Sequence, residues 1–346
     1  MDVWQMISIV LAVVALLLVM TYLIVENVIG KIFERVPRPK YSSLIQFKDV
    51  EKEYPYERLN FRSGEHRLQG YHLGKENTKG LVVVAHGLGG GAEGYLTPIR
   101  SFVDGGFQVF AYDNTGYHLS EGKNCVGLPQ AVEDLDAALT FIENEERFNG
   151  LPVYLFGHSW GGYAVCAVLR TNHKIKAVAS VAGFNNPNIM IVEWAKRVAG
   201  KWAYIAIPFM KINQRLSFGK KMDITAVDGI NRADVPVLLV HGSEDATVRL
   251  NRAATFSCRE EITNGKVQYL LWEKEGQNGH LDVLYKAGAK EYGLQINKEY
   301  MALLKKTKKK LSEEDKMKFF GAVDKVKSSA PNEELMEKIM EFFEQA

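Results

Sequence analysis

The chain contains little cysteine. Its 346 residues include only three, Cys125, Cys166 and Cys258, which are odd in number and far apart. A disulfide framework or a structural metal site would show cysteines at short, regular spacing. We therefore expect free thiols in a reducing compartment, with neither a disulfide framework nor a metal site.

The chain also lacks an excess of one charge. Lys and Arg number 43 against 41 Asp and Glu, for a formal net charge of +2. This balance gives no reason to expect a nucleic-acid partner, and the sequence contains no zinc-finger or RNA-binding signature. With 47% hydrophobic and 24% charged residues, the composition indicates neither disorder nor repeats. One large α/β domain with additions is expected.

One long apolar run stands at the N-terminus. Residues 3–25 carry no charge, which is long enough to cross a bilayer as a helix. The run is too uniformly apolar for the amphipathic helix of a globular domain. A secretory signal begins with basic residues and ends in small ones, whereas this run follows Asp2 and leads into Glu26. We therefore predict an uncleaved transmembrane anchor over residues 1–30.

The residues after the anchor predict its orientation. Four basic side chains fall within reach of the positive-inside rule, which places the rest of the chain on the cytoplasmic side. They are Lys31, Arg35, Arg38 and Lys40. Residues 31–55 hold three prolines and mixed charge without a sustained period, so we expect a linker there.

Beyond residue 55, short β-rich runs alternate with helical stretches. This alternation predicts a mostly parallel sheet with helices on both faces. The runs are 68–73, expected to be antiparallel, and 81–85, 108–112, 153–156, 177–181, 235–240 and 267–272.

A helix that begins near Pro129 has a clear helical period. Its apolar positions share one face, and we expect three acidic residues outside that face. The apolar positions are Val132, Leu135, Leu139 and Ile142, and the acidic ones are Glu133, Asp134 and Asp136.

About fifty residues separate the runs 177–181 and 235–240, more than a βαβ crossover needs. We predict a helical cap over 184–232, between core sections 56–183 and 233–290. Its large apolar side chains either line a hydrophobic substrate pocket or pack the cap onto the domain. The candidates for a pocket are Met190, Trp194, Trp202 and Phe209. Residues 291–346 are expected to form a helical C-terminal extension, with Ser312 and Asp315 in capping-box spacing.

Residues 157–162 read Gly-His-Ser-Trp-Gly-Gly, between a predicted strand and a helix. A serine hydroxyl becomes a useful nucleophile when a turn aims it and a base takes its proton. Glycines two positions before and after the serine let neighbouring backbones approach such a turn. We therefore predict that Ser159 is a nucleophile. The alternative is a glycine-rich turn with an idle serine.

A base and an acid follow Ser159 in the order that this kind of sheet requires, Ser, acid, His. His280 is the only histidine beyond residue 245, and it lies in the loop after the run 267–272. Asp245 and its competitor Glu244 both come soon after the run 235–240, and the spacing alone does not choose between them. A solvated surface histidine is the alternative for His280.

The tetrahedral intermediate of acyl transfer needs N–H donors for its oxyanion. We expect one from Trp160, after the nucleophile, and one from Leu88 in the glycine-rich loop 86–91. A phosphate cradle is the alternative for this loop. However, no Lys-Ser/Thr follows it, and it holds no dinucleotide-binding Gly-x-Gly-x-x-Gly.

Five motifs in this order resemble the α/β-hydrolase fold superfamily, in particular its serine aminopeptidase-like, monoacylglycerol lipase and lysophospholipase branch. The resemblance covers about residues 57–290. It implies a triad of Ser159, Asp245 and His280, an oxyanion hole from Leu88 and Trp160, and a cap that shapes substrate choice. The motifs are His-Gly-Leu-Gly at 86–89, Tyr-Asp-Asn-Thr-Gly at 112–116 with Ser-Glu-Gly at 120–122, Gly-His-Ser-Trp-Gly-Gly at 157–162, His-Gly-Ser-Glu-Asp at 241–245 and Gly-His at 279–280. Asp113 and Ser120 match a loop that is structural in such proteins.

These observations lead us to expect a membrane-anchored serine hydrolase without a metal or organic cofactor. It would cleave carboxylic esters of lipid-like or otherwise hydrophobic substrates through an acyl-enzyme. An aminopeptidase or amidase uses the same triad, and an acidic cluster in the cap would favour it. Residues 184–232 contain only scattered acids, Glu193, Asp223 and Asp228. A non-catalytic, membrane-tethered module on the same fold is the remaining alternative.

Overall fold

The computed structural model describes residues 2–308 and 310–346. Eight strands form one sheet in the order β1-β2-β4-β3-β5-β6-β7-β8. The strands are β1 (Tyr56–Ser63), β2 (His66–Leu73), β3 (Leu81–Ala85), β4 (Gln108–Tyr112), β5 (Val153–His158), β6 (Ala177–Val181), β7 (Val237–Gly242) and β8 (Val267–Trp272).

The sheet is mostly parallel, as the alternation of runs predicts. β1 pairs with β2, and β2 with β4, in antiparallel fashion. Every pair from β4 to β8 is parallel. The sequence reasoning missed β1, in which buried and exposed positions alternate only from Arg58 to Ser63. The predicted α/β class is confirmed.

Helices cover both faces of the sheet. The helices are α1 (Val3–Ile32), α2 (Phe47–Val50), α3 (Leu96–Asp104), α4 (Gln130–Asn144), α5 (Trp160–Ala167), α6 (Pro187–Ala199), α7 (Ala203–Phe218), α8 (Ala226–Arg232), α9 (Ala289–Lys306), α10 (Glu313–Gly321), α11 (Lys325–Ser328) and α12 (Glu333–Gln345).

Two apolar clusters sandwich the sheet. In β3, Leu81, Val83 and Ala85 face the cluster that contains side chains of α4 to α8. Val82 and Val84 face the other cluster, which contains side chains of α3 and α12. Successive strand residues point to opposite faces, so this strand has no solvated side and reads as a continuous apolar run.

The C-terminal helix α12 belongs to the second of these clusters. Phe343 is fully buried and stacks on Tyr154 of β5, with ring centroids 4.9 Å apart. Asn332 caps α12, and Ser312 and Asp315 form the capping box that starts α10. The last helix of the chain is thus part of the core beneath the sheet.

The apolar stripe of α4 is buried as expected, but Asp134 corrects the prediction for the acidic residues. Its side chain is fully buried. It accepts hydrogen bonds from Ser63 Oγ (2.7 Å), the Thr115 backbone N–H (2.7 Å) and Gln130 Nε2 (2.9 Å). Burial raises the pKa of Asp134 although these donors act against it. The carboxyl group joins α4 to β1 and to the loop after β4, a role that helical periodicity does not show.

The segment 31–55, expected to be a linker, is packed against the domain. Phe47 is fully buried and stacks on Tyr71 with ring centroids 4.5 Å apart. Arg38 forms an ion pair of 2.6 Å with the buried Glu93. The segment therefore packs onto the domain and is not a free linker.

Helix α1 is the one helix of the described chain that is long and apolar enough to cross a membrane, with a mean hydropathy of 2.9 in its most apolar stretch. A membrane anchor and a signal sequence share these properties. Its last two turns differ from the rest, because Val25 and Ile29 are buried. There α1 contacts α7 of the cap.

Candidate active site

Ser159 lies in a strained turn between β5 and α5. Its φ of 58° and ψ of −112° are unusual for a residue with a side chain, and such a conformation costs on the order of 1–3 kcal/mol. The turn requires the glycines around it. A Cβ on Gly157 would lie 2.2 Å from the Gly161 carbonyl oxygen, and a Cβ on Gly161 would lie 2.0 Å from that of Ala85. Only hydrogen fits at these two positions.

The turn brings the serine to a histidine from the other end of the domain. His280 Nε2 lies 2.9 Å from Ser159 Oγ, and His280 Nδ1 lies 2.6 Å from Asp245 Oδ2. The three residues follow β5, β7 and β8. Because parallel strands end at the same edge of a sheet, residues 35 and 121 positions apart in the chain meet there.

Asp245 is held as a carboxylate. Its side chain is fully buried, and Oδ1 accepts hydrogen bonds from the backbone N–H groups of Thr247 (2.7 Å) and Val248 (2.8 Å). Burial alone would raise the pKa of Asp245, but hydrogen bonds from His241 and His280 hold it well below its usual range. The ionised Oδ2 accepts the Nδ1 proton of His280, which leaves the Nε2 lone pair facing the serine hydroxyl.

The competing acid, Glu244, points elsewhere. It is exposed, and its backbone N–H donates to the Asn278 carbonyl at 2.9 Å. The structure brings Asp245, and not Glu244, to His280.

A second histidine holds the His280 backbone, and sequence reasoning missed it. His158 Nε2 lies 2.8 Å from the His280 carbonyl oxygen, and His158 Nδ1 lies 2.7 Å from the Tyr95 hydroxyl. Burial lowers the pKa of His158 to about 3, and the nearby His280 adds to the effect. The neutral ring therefore donates from Nε2 and accepts the tyrosine proton at Nδ1. Its place beside the serine was the only sequence signal available.

The two predicted oxyanion donors lie in segments that border the serine. Trp160 is the first residue of α5, so its N–H has no acceptor within the helix. Its indole Nε1 donates to the Leu128 carbonyl at 2.7 Å, which fixes the ring. Leu88 lies in the loop after β3. A Cβ on Gly87 would come within 3.2 Å of the His158 carbonyl oxygen, so this loop lies directly against the nucleophile turn.

A cavity of about 350 Å³ lies beside Leu88 and Leu281, which are neighbours of the triad in space and in sequence, although Ser159 and His280 do not line it. It lies between the loops that carry Leu88 and His280 on one side and the segment 31–55 on the other. Its walls are mostly apolar and include Leu44, Ile45, Leu88, Leu281 and Tyr285. Gln46 also lines the cavity, and its buried Oε1 has no hydrogen-bond partner within the described residues. A largely apolar ligand matches these walls.

The four cap residues expected to line a pocket lie in different surroundings. Met190 is buried in the core, with 1% of its surface exposed. Trp194 packs on Phe33, just after α1, with ring centroids 6.3 Å apart. Phe209 is half-buried at the edge of the same cluster, whereas Trp202 is 65% exposed. None of the four lines the cavity beside Leu88.

The described residues contain no group of His, Cys, Asp or Glu that could hold a metal ion. The three cysteines are free thiols. Burial raises the pKa of Cys125 and of Cys166 to about 12, so both are inert as nucleophiles.

Comparison with known proteins places this geometry in a family context. Residues 76–228 match the family described as serine aminopeptidase, S33. Human monoglyceride lipase is 34% identical over 84 residues, which cover 24% of this chain and 28% of the lipase. An uncharacterized protein of Bacillus subtilis, YqkD, is 24% identical over 183 residues, 51% of this chain and 59% of that protein. A quorum-quenching protein of Acinetobacter baumannii is 28% identical over 31% of this chain and 36% of its own length.

Solved structures share the fold. An esterase of Pyrococcus furiosus superposes with a TM-score of 0.57 at 16% identity, over 79% of this chain and 98% of the esterase. The acylaminoacyl peptidase of Pyrococcus horikoshii gives 0.51 at 18% identity, over 77% of this chain and 44% of the peptidase. The chain spans between 28% and 59% of the length of the three sequence relatives. The order of the sheet, the strained serine turn and these similarities together show that the chain has the α/β-hydrolase fold.

Proposed function

We propose that the protein is a serine hydrolase that cleaves carboxylic esters through an acyl-enzyme. The observation that carries this proposal is the continuous chain from Ser159 Oγ through His280 to Asp245, with steps of 2.9 and 2.6 Å. This order of donors and acceptors matches what a serine nucleophile needs for activation. No metal or organic cofactor takes part in this chemistry.

The residues act in sequence. His280 Nε2 takes the proton of Ser159 Oγ while the oxygen attacks the ester carbonyl, and the resulting oxyanion is stabilised by the N–H groups of Leu88 and Trp160. The imidazolium, stabilised by Asp245, then protonates the leaving alcohol and the acyl-enzyme remains. His280 takes a proton from a water molecule as the water attacks the acyl group, and it returns that proton to Ser159 Oγ as the carboxylic acid leaves.

The cavity supports an ester with a hydrophobic part. Its apolar walls beside Leu88 fit an alkyl or aromatic group. The names of the human lipase and the Pyrococcus furiosus esterase are consistent with this substrate class.

A peptidase is the second candidate, because the matching family is described as serine aminopeptidase. An aminopeptidase needs a free carboxylate for the substrate amine. Glu93 is the carboxylate that lines the cavity, and it is neutralised by Arg38 at 2.6 Å. The ester is therefore the favoured substrate.

We further propose that α1 anchors the enzyme in a membrane with the catalytic domain on the cytoplasmic side, because basic residues follow the helix. Protease added to intact cells should leave the domain uncut while it cuts an outward-facing marker. Digestion of the domain under those conditions would reverse the orientation.

Replacement of the nucleophile should abolish covalent chemistry. Ser159→Ala should lose all labelling by a fluorophosphonate probe, and His280→Ala should lower kcat for p-nitrophenyl butyrate by about 10⁴- to 10⁶-fold, since the triad acts as a unit. Ser217→Ala, at an exposed helical position, is the matched control and should label like the wild type. A folded wild-type protein that never labels would refute the proposal.

Two adjacent carboxylates offer a sharper test of the acid. Asp245→Asn should keep the fold but lower kcat by about 10⁴-fold, because the amide no longer stabilises the imidazolium or fixes the tautomer. Glu244→Gln should stay within about twofold of wild type, because Glu244 is exposed. Equal effects of the two changes on kcat would exclude Asp245 as the partner of His280.

The cavity can be tested through chain length. Leu44→Trp should fill part of the cavity and lower kcat/KM for p-nitrophenyl octanoate by about 10- to 100-fold, since each buried methylene contributes about 0.8 kcal/mol. The value of kcat/KM for p-nitrophenyl acetate should hardly change, because its acyl group is too short to enter the filled part. Leu294→Trp, on the exposed surface of α9, is the control. An unchanged preference in Leu44→Trp would place the substrate outside this cavity. Faster cleavage of aminoacyl amides than of every ester would instead support the peptidase.

A further inference from the structure

The solvent-exposed face of α7 carries large apolar side chains, unlike that of a typical surface helix. A surface helix turns charged and polar side chains outward. On α7 the exposed positions recur at helical spacing and include Ile205 (54% exposed), Ile212 (50%) and Leu216 (74%). Trp202 (65%) and Tyr204 (68%) continue this face at the start of the helix. We call these five side chains the α7 face.

The segment that carries the α7 face has an excess of positive charge, although Arg215 and Lys221 are paired with Asp223 and Glu133. Residues 187–232 contain eight Lys and Arg against three Asp and Glu. All three acidic side chains have partners: Glu193 pairs with Arg252, Asp223 pairs with Arg215, and Asp228 caps α8. The ammonium groups of Lys196 and Lys201 lie 5.7 Å from the ring centroids of Tyr204 and Trp202. Apolar and aromatic side chains interleaved with lysine are typical of helices that bind an anionic membrane surface.

The packing of α1 fixes where this face lies. Residues 3–24 precede the first buried position of α1, Val25. They make up about 33 Å of helix at 1.5 Å per residue, close to the roughly 30 Å hydrocarbon thickness of a bilayer. From Val25 onward α1 packs on the cap and contacts α7. The α7 face therefore lies close to the level at which α1 would leave the bilayer.

We propose that the α7 face docks onto the anionic phospholipid surface of the membrane that holds α1. The apolar side chains enter the interface, and Lys196, Lys201 and Lys211 meet lipid phosphates. A second copy of the chain is a poorer occupant, because a two-fold contact through this face would bring two cationic caps together. The proposal rests on α1 as a membrane anchor, and it deepens the proposed function by naming an ester carried in the bilayer as the substrate.

The test uses the full chain reconstituted into phosphatidylcholine vesicles with and without phosphatidylserine. In a Cys258→Ser background, Leu216→Cys carries an environment-sensitive nitrobenzoxadiazole label. Glu341→Cys is the control, because α12 packs on the sheet face opposite the cap. We expect the label at position 216 to shift to the blue and to be quenched by brominated lipid, more strongly with phosphatidylserine. The label at position 341 should report water throughout.

Flotation of the same samples separates the two levels of the proposal. If the chain floats with the vesicles and the label at position 216 stays in water, α1 is an anchor and the docking of α7 is refuted. If the chain does not float, the anchor fails and the docking fails with it. A blue shift that depends on protein concentration in detergent without lipid would identify a second copy as the occupant and overturn the proposal.

Activity gives an independent reading. Ile212→Glu with Leu216→Glu changes exposed side chains and should leave hydrolysis of soluble p-nitrophenyl butyrate within about twofold of wild type. Hydrolysis of a long-chain ester embedded in anionic vesicles should fall by at least about tenfold. Equal rates of wild type and variant on the embedded ester would contradict membrane docking. Retention of either activity in Ser159→Ala would instead refute the proposed chemistry and leave the label at position 216 to decide the docking.

Discussion

The close backbone approach at the end of β5 is the constraint on which the site depends. Between Gly157 and Gly161 the chain turns from strand to helix in a conformation that a residue with a side chain rarely adopts. The strain is sustained because the turn is fixed on two sides: the Ser159 N–H donates to the Val181 carbonyl at 2.8 Å, and Gly161 lies against Ala85. A serine held in this way cannot relax away from its base. The rigid sheet thus orients the serine before substrate binds, whereas a serine on a flexible loop would lose conformational entropy when it is ordered.

His280, the proposed base, is also held in place on two sides, although it lies on a loop. Asp245 orients the His280 ring from one side, while the neutral His158 holds the His280 carbonyl from the other. Tyr95 in turn donates to His158, so the tautomer of that ring is determined by its neighbours. A charged ring at His158 would repel the His280 imidazolium of the proposed mechanism, and burial keeps the His158 ring neutral. The ordering of the loop after β8 therefore depends on a residue that belongs to the nucleophile turn.

The sequence was a good guide where one local pattern determines the structure. Strands buried on both faces, such as β3, read as continuous apolar runs, and Ser159 lies between such a strand and a helix. It failed where long-range contacts decide. Asp134 has the sequence position of a solvated residue, yet Ser63 and Thr115 pair with it across the fold. β1 is stabilised by its antiparallel pairing with β2. The hydrogen bond between His158 and the His280 carbonyl depends on how the ends of β5 and β8 are placed relative to each other. The spacing of residues along the chain does not predict that placement.

Long-range contacts also determine the structure of the N-terminal part of the chain. Its prolines and mixed charges read as a linker, but Phe47 and Arg38 pack onto the domain, and the neighbouring residues 44–46 line the cavity beside Leu88. The end of α1 meanwhile rests on the cap. Helix α1, helices α6 to α8 and the cavity wall are thus joined in one packed unit, and side-chain packing sets the orientation of Ser159 and His280 relative to α1. An enzyme built in this way does not sample a membrane surface at the end of a flexible tether, because its catalytic edge has a fixed relation to the helix that would hold it there.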